Sequence, residues 1–329
     1  MKLGIHLNDR MALTDVLRFS IMAEKKGFHS AWFAEARWAR DALIPMGLAL
    51  KETKKMMVGT AIVSDWTRNV ALLASSLNTL NEIAPGRVLL GIGGGDSSLL
   101  KMMGIQKTAP LAHLREYVLA LKRLLSGDVV NLEGEFIKVN GISIGSARNL
   151  PQIPIYIGGT GEKTIGLAGA IANGVVLDYL ISPESTEKYI SIFREGARAA
   201  GRDPAELHVA QLVLVSADED LDKAYQVSKF HFLKYFDSIY DLLRNNSRFK
   251  ADAEEIMKMA KANKEPTEII KIIPDDLVDQ LTATGDMARC RSKIKNYMKT
   301  GVDIPIIYVI SGKVNKAIDG LSPLTWPKA

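Results

Sequence analysis

Cysteine is almost absent from this 329-residue chain: Cys290 stands alone, so no disulfide can form within it. A lone thiol suits a reducing compartment. Long apolar runs are also missing. The most apolar windows, "ALIPMGLAL" and "IPIIYVI", fall well short of the roughly 20 residues of a membrane span. The opening "MKLGIHLNDR" has no apolar core of signal-peptide length, and the expectation is a soluble, cytoplasmic protein. Blocks of one charge are lacking as well. The 42 Lys and Arg against 37 Asp and Glu leave a net charge of +5, dispersed along the chain. The densest basic stretches, "KETKKM" and "RCRSKIKNYMK", read as solvated helix faces rather than a nucleic-acid footprint. This balance suits a small anionic ligand without demanding one.

What is there is an alternation. Apolar strand-like runs, "LGIHL", "SAWFAE", "MMVGTAIV", "RVLLGIG", "IPIYIGG", "NGVVLDYL" and "LHVAQLVLVS", are each followed by a segment with apolar residues at helical spacing. The last of those helices is expected to run unbroken from about Asp218 to Asn245. An eighth strand, "IPIIYVI", comes after the helix "DMARCRSKIKNYMKTG". Regular βα alternation implies parallel strands joined by right-handed crossovers. Eight units favour a closed (β/α)8 TIM barrel over an open doubly wound sheet, as a single domain over residues 1–329. Two stretches depart from the rhythm. Residues 128–150 read as a hairpin excursion, and residues 246–283 as a polar, mostly helical insertion without a convincing strand.

The glycines after the fourth strand, in "LLGIGGGD", invite a nucleotide reading that fails. A dinucleotide fingerprint needs Gly-x-Gly-x-x-Gly after the first strand of its unit; here Asp96 holds the sixth position after the fourth strand. No stretch offers the Gly-Lys-[Ser/Thr] of a phosphate loop. In a barrel the C-terminal strand ends form the active-site mouth, so Gly93, Gly94 and Gly95 are expected to let a flat ligand approach the backbone, with Asp96 turned towards it. The plainer alternative makes Asp96 the N-cap of the next helix. A second cluster, Gly158, Gly159, Thr160 and Gly161, follows the fifth strand and opens a helix, where bare amides suit a phosphate.

The pieces "MKLGIHL", "AEKKGFHSAWFAE", "VGTAIVSDWTRNVALLASSLNTLNEIAPGRVLLGIGGGD", "IPIYIGGTG" and "EGARAAGRDP" together resemble the bacterial luciferase-like superfamily. Within it the chain looks most like the coenzyme F420 branch, which includes methylenetetrahydromethanopterin reductase. The resemblance spans residues 1–215 and 284–310; residues 246–283 match nothing familiar. It implies a non-prolyl cis peptide at Ala61-Ile62 behind the cofactor ring and a cofactor contact from Ser64. It also implies glycines 93–95 lining the ring and residues 158–161 holding the phosphate of its side chain. Members commonly dimerise through barrel helices, and "NVALLASSLNTLNEIA" has the small and apolar face for a homodimer. Where F420 dehydrogenases have Asp-His at the end of the second strand, this chain has Glu35-Ala36. Where the reductase has a glutamate in the first strand, it has His6.

Hydride transfer to a C–O or C–N bond also moves a proton. His6 is the first candidate for general acid/base because an imidazole near neutral pKa serves both directions, although a structural histidine fits the same position. Glu35 and Asp96 are the carboxylate candidates. Arg68 and Arg37 could neutralise an acidic cofactor tail or substrate, or form surface ion pairs; Trp66 and Trp38 could wall a planar ligand, and Trp32 suits the core. Three functions are carried forward: an F420-dependent oxidoreductase acting on a small organic substrate, an FMN-dependent monooxygenase, and a cofactor-binding protein without turnover. No metal cluster, nucleic acid or membrane is expected.

Overall fold

The computed structural model describes residues 1–7, 11–35, 40–244 and 248–326. Ala36, Arg37 and Trp38 lie outside the described residues, as does Asn245. In chain order the elements are β1 (Gly4–Leu7), α1 (Leu13–Lys25), β2 (Ser30–Phe33), α2 (Leu43–Glu52), β3 (Met57–Thr60), β4 (Val63–Ser64), α3 (Val70–Ile83), β5 (Val88–Gly93), α4 (Ser97–Met102) and α5 (Pro110–Leu125). The small antiparallel hairpin β6 (Val130–Glu133) and β7 (Lys138–Ile142) precedes β8 (Ile155–Gly158), α6 (Glu162–Ile171), β9 (Gly174–Leu177), α7 (Pro183–Ala199) and β10 (His208–Ala217). Then come α8 (Leu221–Lys234), α9 (Phe236–Arg244), α10 (Lys250–Lys261), α11 (Pro266–Ile272), α12 (Asp275–Leu281), β11 (Ala283–Gly285), α13 (Met287–Lys299), β12 (Ile304–Val309) and α14 (Val314–Gly320).

Eight parallel strands close on themselves in the order β10-β12-β1-β2-β3-β5-β8-β9 and back to β10, a (β/α)8 TIM barrel. Closure is sealed where His208–Gln211 pairs with Gly174–Leu177. The open-sheet alternative is excluded, because no edge remains in this ring. The period of two along each strand divides two cores. Ile5, Leu7, Val58, Ile92, Ile157, Leu177 and Val215 face outward against the helices. Trp32, Leu89, Tyr156, Val176, Leu212 and Ile306 fill the lumen. Trp32 is fully buried, its indole N–H donating to Ser30 Oγ at 2.8 Å, so it belongs to the lumen floor.

Two details differ from the sequence reading. The helix expected from about Asp218 to Asn245 breaks at Tyr235 into α8 and α9, so that Phe232 and Phe236 both reach the inner core. A short strand, β11, closes the helical stretch and pairs with the far end of β10, Val215 with Ala283 and Ala217 with Gly285. The side chains of α8 to α12, including Phe232, Ile256 and Leu277, join one apolar cluster with the lumen residues.

Candidate active site

The barrel's C-terminal rim divides into two arcs. Strands β2, β3, β5 and β8 are consecutive and carry only small inward residues at this end: Ala34, Ala61, Gly91 and Gly93, and Gly158. The third strand is interrupted here by a cis Ala61–Ile62 peptide, beyond which β4 rejoins β5. The glycines exist for this bulge. A Cβ on Gly158 would stand 2.7 Å from Ile62 Cγ2, and one on Gly93 would overlap the Gly158 carbonyl oxygen. The result is a flat apolar platform built from Ala61, Ile62 and backbone. Ser64 lies at its edge, its Oγ accepting from the Trp66 amide at 3.2 Å. Gly95 holds φ +64°, and a side chain there would press Ser64 Oγ at 2.9 Å. Lys107, not singled out in the sequence, bonds the Gly95 carbonyl at 2.6 Å and puts an ammonium beside the exposed Gly94 loop.

The other arc, β9, β10, β12 and β1, carries polar and aromatic groups. His6 alternates with outward Ile5 and Leu7, so its ring faces the lumen, 4.4 Å between centroids from Tyr308 of β12. Nδ1 of His6 is buried with no hydrogen-bond partner. Burial pushes the imidazole down to about 4. It is therefore uncharged at neutral pH, which removes the near-neutral titration expected of it as general acid/base. Asp178 continues the inward register of Val176 at the end of β9. It is half-buried, and its Oδ1 accepts from the Tyr179 amide at 2.8 Å. Tyr179 meets Tyr308, Tyr235 and His231 at centroid distances of 5.9, 5.2 and 5.9 Å, so α8 contributes a wall to the mouth. The sequence reading missed Asp178; its only signal is a carboxylate ending the otherwise apolar run "NGVVLDYL".

The other expected carboxylates are occupied. Asp96 is exposed and caps α4, accepting from the Ser98 amide at 2.8 Å and Ser98 Oγ at 2.6 Å. The N-cap alternative thus describes its geometry, because a short polar side chain before a helix satisfies free amides more readily than it reaches across a loop. Glu35 is bound by Arg68, whose Nε lies 3.2 Å from Oε2 and whose Nη2 bridges Glu35 and Asp41. Arg68 is thereby engaged by two carboxylates through Nε and Nη2. Trp66 is not turned to a ligand face on both sides: it stacks on His113, 3.9 Å between centroids. His113 Nδ1 lies 2.8 Å from Asp65 Oδ2.

At the end of β8, Gly158 is buried while Gly159, Thr160 and Gly161 are progressively open. Gly161 caps α6 without a side-chain bond, leaving the first amides of a ten-residue helix to an anion. Glu162 in that first turn is drawn aside by Lys188 at 2.6 Å. Among the described residues no cluster of three metal-ligating side chains occurs and no helix is long and apolar enough to cross a membrane.

A barrel whose rim offers a flat platform facing a polar arc places its chemistry at the C-terminal strand ends, as barrel enzymes do. The chain belongs to the luciferase-like monooxygenase family, whose model matches residues 2–304. It is 28% identical over 303 residues to the 5,10-methylenetetrahydromethanopterin reductase of Methanolobus tindarius, covering 92% of each chain. It is 27% identical to the F420-dependent glucose-6-phosphate dehydrogenase of Nakamurella multipartita, over 83% of this chain and 84% of that one. The solved coenzyme F420-dependent tetrahydromethanopterin reductase of Methanopyrus kandleri superposes with a TM-score of 0.85 at 25% identity, covering 98% of this chain and 97% of the other. Coverage of that extent takes in residues 246–283, which the sequence alone left without a likeness.

Proposed function

We propose that this protein is a coenzyme F420-dependent oxidoreductase that moves a hydride between the deazaflavin and a small organic substrate, with a methylenetetrahydromethanopterin-reductase-like reaction as the form to test first. The carrying observation is the division of the rim: a flat, side-chain-poor arc around Ala61-Ile62 opposite an arc that holds His6, Tyr308 and Asp178. The named relatives support the choice of cofactor. When bound, the deazaflavin supplies a ring carbon that gives or takes two electrons with a hydrogen.

The chain's own residues do the rest. Ala61 and Ile62 back the ring, Ser64 and glycines 93–95 border it, and Lys107 stands where an acidic tail leaves the loop. The amides from Gly158 to Gly161 hold the tail's phosphate at the α6 N-terminus. Glu35 and Arg68 brace the wall between β2 and β4 rather than reacting. His6 stays neutral and packs the ring of Tyr308. The helices α10 to α12, whose apolar side chains share a cluster with the lumen residues, serve in this reading to exclude water from the reacting atoms.

The test is a titration of the apo-protein with F420 and with FMN, followed by tryptophan fluorescence, then by consumption of reduced F420 with methylenetetrahydromethanopterin. Binding of F420 without FMN is expected. Preference for FMN would move the protein to the monooxygenase reading, and binding of neither would end both. The protein acts in the cytoplasm as a homodimer through α2 and α3, whose Ile44 and Leu72 are 65% and 70% exposed. A monomeric mass in light scattering would refute that assembly.

A further inference from the structure

A hydride delivered to a C=N or C=O carbon leaves an electron pair on the heteroatom, so the reaction needs a proton donor facing the platform. The groups first expected to serve are uncharged or engaged elsewhere. His6 is buried and uncharged, Glu35 is held by Arg68, and Asp96 points into the α4 amides. Asp218, which continues the inward register of β10, is paired with Lys313. Among the described residues Asp178 remains in the inward register of the rim, on the arc opposite Ala61-Ile62. We propose that Asp178 is the group that exchanges the substrate's proton during hydride transfer. This rests on the oxidoreductase reading above.

The geometry gives the carboxyl an anchored and a working oxygen. Oδ1 is fixed by the Tyr179 amide, which leaves Oδ2 to a ligand. Among the described residues, the titratable groups gathered around this end of the barrel include Tyr179 from its own strand end, Tyr308 from β12, His6 from β1, and His231 with Tyr235 from the α8 side. Tyr179 stays protonated: burial pushes its phenol far up, and the charges of Asp178, Tyr235 and Tyr308 push it further. Burial raises Asp178 to about 6, with the Tyr179 amide pulling the other way. A carboxyl poised there holds both protonation states near neutrality, as acid/base catalysis requires.

In the reducing direction hydride from the reduced cofactor forms the new C–H bond, and the pair of the bond that breaks, the π bond of a C=O or C=N or the C–N σ bond that opens in an N–CH2–N methylene bridge, moves to the oxygen or nitrogen. That atom takes the Asp178 proton, and the carboxylate recovers a proton from water. In the oxidising direction the carboxylate takes the N–H or O–H proton as the hydride leaves carbon for the oxidised cofactor.

Asp178→Asn tests this, since the amide oxygen can still accept from Tyr179. Three readouts are compared with the wild type. Affinity for F420 is expected to hold within about twofold. In infrared difference spectra, the wild type should show a protonated carboxyl band titrating near pH 6, and the variant should lack it. Turnover of reduced F420 with methylenetetrahydromethanopterin should fall about 10²–10³-fold, losing the limb of the pH profile that the wild type has near 6, with partial rescue in Asp178→Glu. The proposal is overturned by a variant within threefold of wild-type turnover, by an unchanged pH limb, or by identical infrared titrations. A wild type that neither binds F420 nor oxidises its reduced form overturns the oxidoreductase reading instead. Wild-type binding and turnover with an indifferent variant overturns Asp178 alone.

Discussion

Trp66 lies face to face with His113, ring centroids 3.9 Å apart and planes 15° from parallel, while His113 Nδ1 holds the buried Asp65 at 2.8 Å. Asp65 Oδ1 has no partner, and burial raises its carboxyl despite the opposing pull of His113. The dyad fixes the indole against α5 at the edge of the platform. In His113→Ala the buried carboxyl loses its one strong partner, which should cost about 2–3 kcal/mol at neutral pH. Tryptophan emission should rise as the stacked imidazole is removed, a change absent in a Trp66→Phe background. Unaltered emission in the single variant would contradict the stack.

Arg68 ties Glu35 to Asp41, and Asp41 in turn accepts from the Leu43 and Ile44 amides at 2.8 and 2.9 Å at the start of α2. Arg68→Ala leaves two carboxylates facing one another. Because all three side chains are partly exposed, the loss is expected at about 1–2 kcal/mol. Arg68→Lys should recover less than half, since one ammonium cannot fork to both acids. Urea denaturation measures it; a full rescue by lysine would argue against the bridge.

The platform tolerates no added methyl group. Gly158→Ala drives a Cβ to 2.7 Å from Ile62, whereas at Gly145 nothing lies within 4 Å of the added atom. The first substitution should destabilise by about 1–3 kcal/mol or more and weaken F420 binding. The second should stay within about 0.5 kcal/mol of wild type. Equal melting temperatures for the two variants would refute the packing argument.

His6 makes the fold acid-sensitive. Its imidazole falls from 6.5 to about 4 on folding, so the unfolded chain binds the proton more tightly between those values. Its contribution is complete above pH 6.5 and is lost as pH falls towards 4, amounting to about 2 kcal/mol by pH 5. His29, also lowered to about 4 by burial first and then by Lys2, adds in the same direction. His6→Phe should therefore lose about 2 kcal/mol less than wild type between pH 7 and 5 in parallel urea titrations. Superimposable pH dependences would show that His6 is protonated in the folded state.

Much of the fold was legible because strands and helices announce themselves within a few residues. "LGIHL" and "IPIIYVI" become β1 and β12, and the excursion after α5 becomes the β6–β7 hairpin. The break at Tyr235 was not legible, since helical spacing continues through it and only packing on the lumen ends α8. The site was legible in part. The cis Ala61–Ile62 peptide stands where the family resemblance implies it. Asp96 and Arg68 were given ligand roles from their position beside the mouth, yet partners near them in space satisfy them first.

The sequence by itself determined the eight-unit alternation, the inward and outward faces of each strand, and the glycines at the fourth and fifth strand ends, all properties with a period of a few residues. Only the tertiary structure decided which groups meet across the rim. Asp65 and His113 are 48 positions apart and Arg68 and Glu35 are 33 apart. His6 and Tyr308 come from the first and last strands of the barrel. Ring closure brings them together, and burial there sets His6 uncharged and leaves Asp178 near neutrality, an outcome of desolvation that no local spacing encodes.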